Sequence, residues 1–425
     1  MTQTASQTSE QTKTGRWPLL VVSAGFLLAA MSLGTRHVFG LYLPPMTETY
    51  GWGREVFALA MAVQTIVWGA AQPLAGGLAD RFGSGRVLVA GALIYALGLF
   101  MVAHADTPLT LILTLGVVVA LGISGTGYPI ALGAVSRAVS EKQRSLYLGV
   151  VMAGGSVGMF TMVPIGQGFM NGLGWQNSLA ALGALALLMC LLALALTGKA
   201  EPPGPEQINS PWKALNEAAR EPRYWLLFWG FFVCGFHVVF IATHLPAYLM
   251  DQGLSPGMGA FALSLVGFFN ILGTLGAGWL GGRVSKRYSL SLIYLVRSVI
   301  IAVFVLLPTT ELSTTLFAAA MGLVWVSTVP LTSGLVGQMY DVRYLSTLFG
   351  LVLFGHQIGG FMGVWVGGLV FDMAGSYQVV WWIAVGLGVF AALLHYPIDE
   401  RHYSTIKAAR IAPVTGPNGA CCRAD

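Results

Sequence analysis

The chain has 425 residues, 56% hydrophobic and only 9% charged, with a mean hydropathy of +0.72 and a formal net charge of +5. Such a composition excludes a water-soluble globule of ordinary make-up, in which about a quarter of residues are charged. It describes a polytopic membrane protein, whose pI near 9.0 is to be read against membrane topology and gives no sign of a nucleic-acid patch.

The first stretch, MTQTASQTSEQTKTGR, is polar and is expected to be a disordered cytoplasmic tail over residues 1–16. Twelve apolar segments follow, at 18–43, 55–78, 87–104, 109–135, 146–170, 177–197, 224–249, 258–281, 290–308, 313–338, 345–371 and 378–396. Each can cross a bilayer as a helix. The first is too long for a signal peptide and lacks a cleavage site. With both termini placed in the cytoplasm, all Lys and Arg except Arg36, Arg54 and Arg297 fall in cytoplasmic segments, which sets the expected orientation.

The longest interruption, 199–223, is rich in Pro and charge. It is expected to link an N-terminal six-helix bundle, 17–198, to a C-terminal one, 224–397, with a second cytoplasmic tail at 398–425. The two halves resemble each other. Leu43-Pro44 corresponds to Leu245-Pro246, Phe57-Ala58-Leu59 to Phe261-Ala262-Leu263, Gly76 and Arg81 to Gly278 and Arg283, and Gly149 and Gly158 to Gly350 and Gly359. Duplication of a six-helix unit explains the near-constant offset, and such folds place the substrate site at mid-membrane between the repeats. The expected fold class is therefore an all-α membrane protein of twelve transmembrane helices in two pseudo-symmetric six-helix bundles.

Between the second and third segments lies GGLADRFGSGR, with Gly76, Asp80, Arg81 and Gly83 spaced G-x-x-x-D-R-x-G and Arg86 following. Glycines let helix ends approach a neighbour, and a carboxylate flanked by arginines can bridge to a helix N-terminus or a basic group. The positive-inside rule alone explains the arginines, but not the spaced glycines or Asp80. The pattern resembles the loop between helices 2 and 3 of major facilitator superfamily transporters, although Ser84 and Gly85 stand where that family has basic residues. The resemblance implies that family's fold. It also implies that Asp80 engages the start of helix 11, near Ser346 and Thr347, as a conformational latch. In the second copy Gly282 replaces the aspartate.

From Arg144 the chain reads RSLYLGVVMAGGSVG, an R-x-L-x-x-G followed by A-G-x-x-x-G at Arg144, Leu146, Gly149, Ala153, Gly154 and Gly158. This is similar to the helix 5 signature of monocarboxylate-porter-like members of the superfamily, which include bacterial lactate and oxalate carriers. Small residues four apart also serve close helix packing. The helix 8 arginine that many of those carriers use on a carboxylate has no counterpart, and Asn270 stands in that run.

All 17 acidic residues fall in loops, tails or helix ends, so an intramembrane carboxylate relay is not expected. Arg36, in GTRHVFG, lies within the first segment and needs an anion, carbonyls or water as partner. It is the candidate ligand of an anionic substrate; snorkelling to the outer interface is the alternative. His37 adjoins it, and His237 stands at the depth of Thr35 under the repeat. Each is a candidate to hold substrate or a proton, or else a neutral, packed imidazole. His356 and Gln357 lie about 16 Å from the start of helix 11, where the oxalate-type resemblance implies a basic site residue. Gln64, Trp68, Tyr128, Asn270 and Trp325 are candidate wall residues. Arg297, on a peripheral helix, is expected to snorkel to the cytoplasm.

No phosphate loop, paired carboxylates or metal-ligand cluster is present, so neither an enzyme nor a cofactor is expected. Cys190, Cys234, Cys421 and Cys422 form no disulfide or metal pattern. The expected function is secondary transport of a small organic anion of monocarboxylate type by alternating access, with coupling to protons, in a bacterial inner membrane. An exporter of neutral amphipathic or aromatic compounds is the second reading, and a receptor that has kept the fold but lost transport the third.

Overall fold

The computed structural model describes residues 16–198, 211–340 and 345–403. The N-terminal tail, the first part of the linker, Cys421 and Cys422 lie outside them. Among the described residues eleven helices are long and apolar enough to cross a membrane. One of these, Leu146–Ala195, has 50 residues, about 75 Å at 1.5 Å per residue against a hydrocarbon core of about 30 Å. It is interrupted at Gly174, whose φ of 77° and ψ of 164° leave helical space. The interruption divides it into two crossings and makes the count twelve.

We label them α1 (Pro18–Tyr50), α2 (Arg54–Phe82), α3 (Ser84–Val102), α4 (Pro108–Ala138), α5 (146–173), α6 (175–195), α7 (Pro222–Asp251), α8 (Pro256–Gly281), α9 (Lys286–Leu306), α10 (Glu311–Met339), α11 (Leu345–Ala374) and α12 (Gln378–His395). A short helix, Pro211–Ala219, precedes α7. The outer faces carry exposed leucines such as Leu74, Leu191, Leu275 and Leu306. In lipid such a face has no cost, provided that backbone groups are bonded within each helix.

The repeat is visible in the packing. On α5, Gly154 and Gly158 lie against the backbone of Phe26 and Ala30 of α1; on α11, Gly359 lies against the backbone of Phe232 of α7. A side chain at any of these glycines would force the helices apart, so the A-G-x-x-x-G run serves helix packing here. The starts of α4 and α10 also match, since Thr107 with Thr110 and Thr310 with Ser313 form capping boxes at equivalent places.

Two structural differences from the sequence reading bear on function. First, α1 continues through a 3-10 turn, Phe39–Tyr42, and a further helix, Leu43–Tyr50. Arg36 is thereby moved from the outer half of its helix to near the middle. Second, α4 and α10 are not continuous. The helix of α4 stops at Gly125 and restarts at Tyr128, and that of α10 stops at Leu323 and restarts at Thr328.

The two halves meet closely at one end, named here the Arg54 end. Arg54 of α2 bonds Asp251 of α7 at 2.7 and 2.6 Å and Tyr377, just before α12, at 3.1 Å. Trp365 of α11 donates to Glu55 at 3.1 Å. At the other end, named for Asp80, glycines on α2, α5, α8 and α11 (Gly76, Gly149, Gly278 and Gly350) have open space where a Cβ would stand.

Candidate functional site between the halves

Arg36 sits opposite the centre of α2. Its Nη2 donates to Thr65 Oγ1 at 3.2 Å, and its guanidinium carbon lies 4.8 Å from the centroid of the Trp68 ring. Thr65 passes its own proton to the Met61 carbonyl, which leaves the hydroxyl oxygen facing Arg36 as an acceptor. The residue is 7% exposed. Snorkelling therefore does not occur.

Three buried polar atoms around it have no partner: Arg36 Nε, Trp68 Nε1 and Gln64 Oε1. The first two are donors and the third an acceptor. The Gln64 amide nitrogen donates to the Leu115 carbonyl at 3.3 Å. That bond turns its oxygen away from α4. Gln64 and Trp68 are one helical turn apart and share a face. His37 is partly buried, and its Nδ1 is likewise unpaired.

The second half reaches the same place through α11. Gly69, next to Trp68, lies against the Gln357 side chain, and Gly360 lies against Thr65. His356 bonds Gln357 Oε1 through Nδ1 at 3.3 Å and faces the Phe231 ring at 5.2 Å between centroids. Thus Arg36, Gln64, Trp68 and Gln357 are drawn together, with His37 and His356 each adjacent in sequence to one of them.

The other candidates lie elsewhere. His237 is fully buried, and its Nε2 bonds the Ala384 carbonyl of α12 at 2.7 Å, so it faces a helix backbone within its own half. Trp325 is 1% exposed and belongs to the break in α10. Asn270 ties that break to the other half: it donates to Ser156 of α5 at 2.8 Å and accepts from the Val326 amide at 3.2 Å. Tyr128 donates to the Met152 carbonyl at 2.7 Å, pinning the restart of α4 to α5.

Arg297 is the main correction. It is fully buried and does not snorkel, because the break in α10 frees carbonyls within its reach. Its Nη2 donates to Trp325 O at 2.8 Å and also to Val324 O. Cys234 and Thr328 are paired beside it at 3.2 Å. Sequence reasoning missed this, along with Thr65 and His244, which bonds Tyr377 at 3.0 Å and the Val364 carbonyl at 2.8 Å. A signal for the breaks was present. Pro129 and Pro330 stand at repeat-equivalent positions inside segments 4 and 10, and paired interruptions of this kind mark binding regions in repeat-built carriers.

The residues expected to form a latch sit at the Asp80 end. Asp80, Arg81 and Arg86 are exposed, and Gly83 ends α2 with φ 97°. An apolar groove of about 470 Å³ beside α9 and α10, lined by Val299, Val303, Phe304 and Leu316 among others, holds none of these residues.

A family model described as Major Facilitator Superfamily matches residues 24–363. The chain is 25% identical over 380 residues to an uncharacterized MFS-type transporter, YcxA, of Bacillus subtilis, covering 86% of this chain and 90% of that protein. It is 25% identical over 417 residues to monocarboxylate transporter 13 of Rattus norvegicus, covering 90% of each. With monocarboxylate transporter 11 of Homo sapiens the identity is 29% over 385 residues, covering 85% of this chain and 79% of that protein. A solved structure of a bacterial homolog of the human lysosomal transporter Spinster, inward-facing and unoccupied, superposes with a TM-score of 0.74 at 16% identity. That alignment covers 89% of this chain and 96% of the other.

Proposed function

The chain belongs to the Major Facilitator Superfamily, and from that premise we propose that it is a secondary carrier for a small organic anion of the monocarboxylate type. The carrying observation is the Arg36 site. A guanidinium buried near the middle of α1, with Nε unpaired beside an unpaired indole N–H and an unpaired amide oxygen, is complementary to a carboxylate. Two N–H donors match its oxygens, and the Gln64 oxygen suits a neighbouring hydroxyl. Among the described residues no carboxylate pairs with Arg36. The similarity to proteins named monocarboxylate transporters supports the same class.

Transport runs by alternating access, with bundles 17–198 and 224–397 rocking about the site and 199–223 as linker. Both termini and the Asp80 end lie in the cytoplasm of a bacterial cell. Their Lys and Arg content supports this orientation. Of the histidines in the spans, His37 and His356 are the two not fully buried. They are the groups through which a proton would accompany the anion.

Thermal unfolding of the detergent-purified protein, against short carboxylates, neutral aromatics and organic cations, tests the reading. A ligand bound at 100 times its Kd stabilises the folded state by about 2.7 kcal/mol. The expected result is that a carboxylate raises the midpoint of the wild type but not of Arg36→Gln. Equal stabilisation of both by neutral aromatics, with no effect of carboxylates, would assign the protein to the export of amphipathic compounds.

A further inference from the structure

α2 and α11 end alike. α2 closes on Gly76-x-x-x-Asp80-x-x-Gly83, and α11 closes on Gly368-x-x-x-Asp372-x-x-Gly375. Each aspartate is the third residue from the end of its helix, Phe82 or Ala374. Each following glycine has positive φ, 97° at Gly83 and 67° at Gly375. Each glycine N–H returns to the carbonyl four residues back, at 2.8 Å to Ala79 and 2.7 Å to Phe371. The same helix-terminal device has been built twice, on two helices that are not related by the repeat.

The α11 copy is engaged. Asp372 accepts from the backbone N–H of Arg54 at 2.9 Å and of Glu55 at 2.7 Å. These are the first two amides of α2, where a helix leaves its N–H groups unpaired and its dipole favours an anion. Gly368 lets α11 approach closely, since a Cβ there would meet Ala58 and the backbone of Arg54 and Glu55. The α2 copy is free. Asp80 is exposed and Gly76 has open space.

The register of the two helices says what Asp80 would meet. They run antiparallel, with Gly53 at Asp372, Ala58 at Gly368, Thr65 at Gly360 and Gly69 at Gln357. One number falls as the other rises by the same count. Continued beyond Gln357, this register brings Gly76 opposite Gly350 and Asp80 opposite Leu345 and Ser346, the first residues of α11. Gly350 too has open space.

The resemblance implies that the Asp80 carboxylate caps α11 when the Asp80 end closes; we infer that Asp372 is a second latch, mutually exclusive with the first, whose carboxylate caps α2 in the state seen here. The helices touch at their middles and diverge toward Asp80, so a rigid pair can close only one end at a time. Each aspartate thereby holds the opposite face of the transport cycle. The inference rests on rocking of the halves and not on the identity of the cargo.

Hydrogen exchange read by mass spectrometry on the full-length protein without substrate tests this. The relevant peptides cover residues 50–58 and 345–352. Asp372→Ala is expected to speed exchange in the first peptide and slow it in the second. Asp80→Ala should do the reverse, with changes of roughly 5-fold for a cap of ordinary strength. Gly76→Leu, at a position where an added Cβ meets nothing in the present state and which the register sets against Gly350 in the other, should act like Asp80→Ala without altering charge. If each aspartate variant changes only the peptide that its own carboxylate caps, the reciprocal coupling is overturned. If Asp372→Ala leaves residues 50–58 unchanged, the observed cap is not a latch. Neither result bears on carboxylate binding at Arg36, which the unfolding assay reads separately.

Discussion

Arg297 of α9 donates to the carbonyl of Trp325 at 2.8 Å across the break in α10. Its neighbour in the acceptor set is the Val324 carbonyl. A broken helix in a membrane exposes carbonyls that no water can satisfy, and a guanidinium at its C-terminal side answers both the missing bonds and the dipole. Arg36 differs in its surroundings. Its bonded partner is a threonine hydroxyl, and it stands where α1 and α2 meet the other half.

The two arginines therefore predict unequal effects on stability. Arg297→Met leaves two carbonyls without a donor and should cost about 1–3 kcal/mol. It would be seen as a lower unfolding midpoint without ligand. Arg36→Gln should cost less, because the acceptor it leaves is one threonine hydroxyl whose own proton stays bonded to the Met61 carbonyl. A larger loss from Arg36→Gln than from Arg297→Met would make Arg36 the structural residue of the two.

Hydrophobic runs made the helices legible, because lipid requires every span to satisfy its own backbone. The repeat made the pairing legible, since Gly158 and Gly359 mark equivalent close approaches. Arg36 could be picked out because a charge in an apolar run needs a reason. Burial direction could not be read, and this is why His237 and Trp325 stood beside His356 as candidates. Residues at one depth on a helix face different neighbours, and a 100° step per residue turns a candidate ligand into a packed imidazole against Ala384. The role of Arg297 depended on the break in α10, which hydropathy alone does not register.

Trp68→Phe isolates the indole N–H from the ring. A phenyl group can still lie under the Arg36 guanidinium, while the unpaired Nε1 donor is lost. The stabilising anion should bind roughly 10-fold more weakly, as expected for one hydrogen bond to a charged group. Titration calorimetry checks this. Unchanged affinity would remove Trp68 from the anion site and leave it as a partner of Arg36 only.

The histidines separate in their effect on the pH dependence of uptake into vesicles. His237 bonds the Ala384 carbonyl at 2.7 Å, so His237→Gln should lower stability by about 1 kcal/mol and leave the shape of the pH profile unchanged. His356 lies against the Phe231 ring and bonds Gln357, whose side chain meets Gly69 of the other half. His356→Gln should alter the shape of the profile, because it removes the imidazole that stands next to the site. A profile altered by His237→Gln and untouched by His356→Gln would reverse these roles.

Two glycines of α7 and α11 distinguish packing from motion. A Cβ at Gly235 would fall on the His356 carbonyl, whereas one at Gly350 meets nothing within 4 Å. Gly235→Ala must push α11 away from α7, and since backbone cannot yield as a side-chain tip can, the protein should lose several kcal/mol and express poorly. Gly350→Leu should unfold at the wild-type midpoint, because nothing is displaced in the present state. Its uptake rate should nevertheless fall, since the antiparallel register places Gly350 against Gly76 when the Asp80 end closes. Normal stability with slowed transport would locate the effect in a state other than the one described. Normal transport by Gly350→Leu would mean that α2 and α11 never approach at that level.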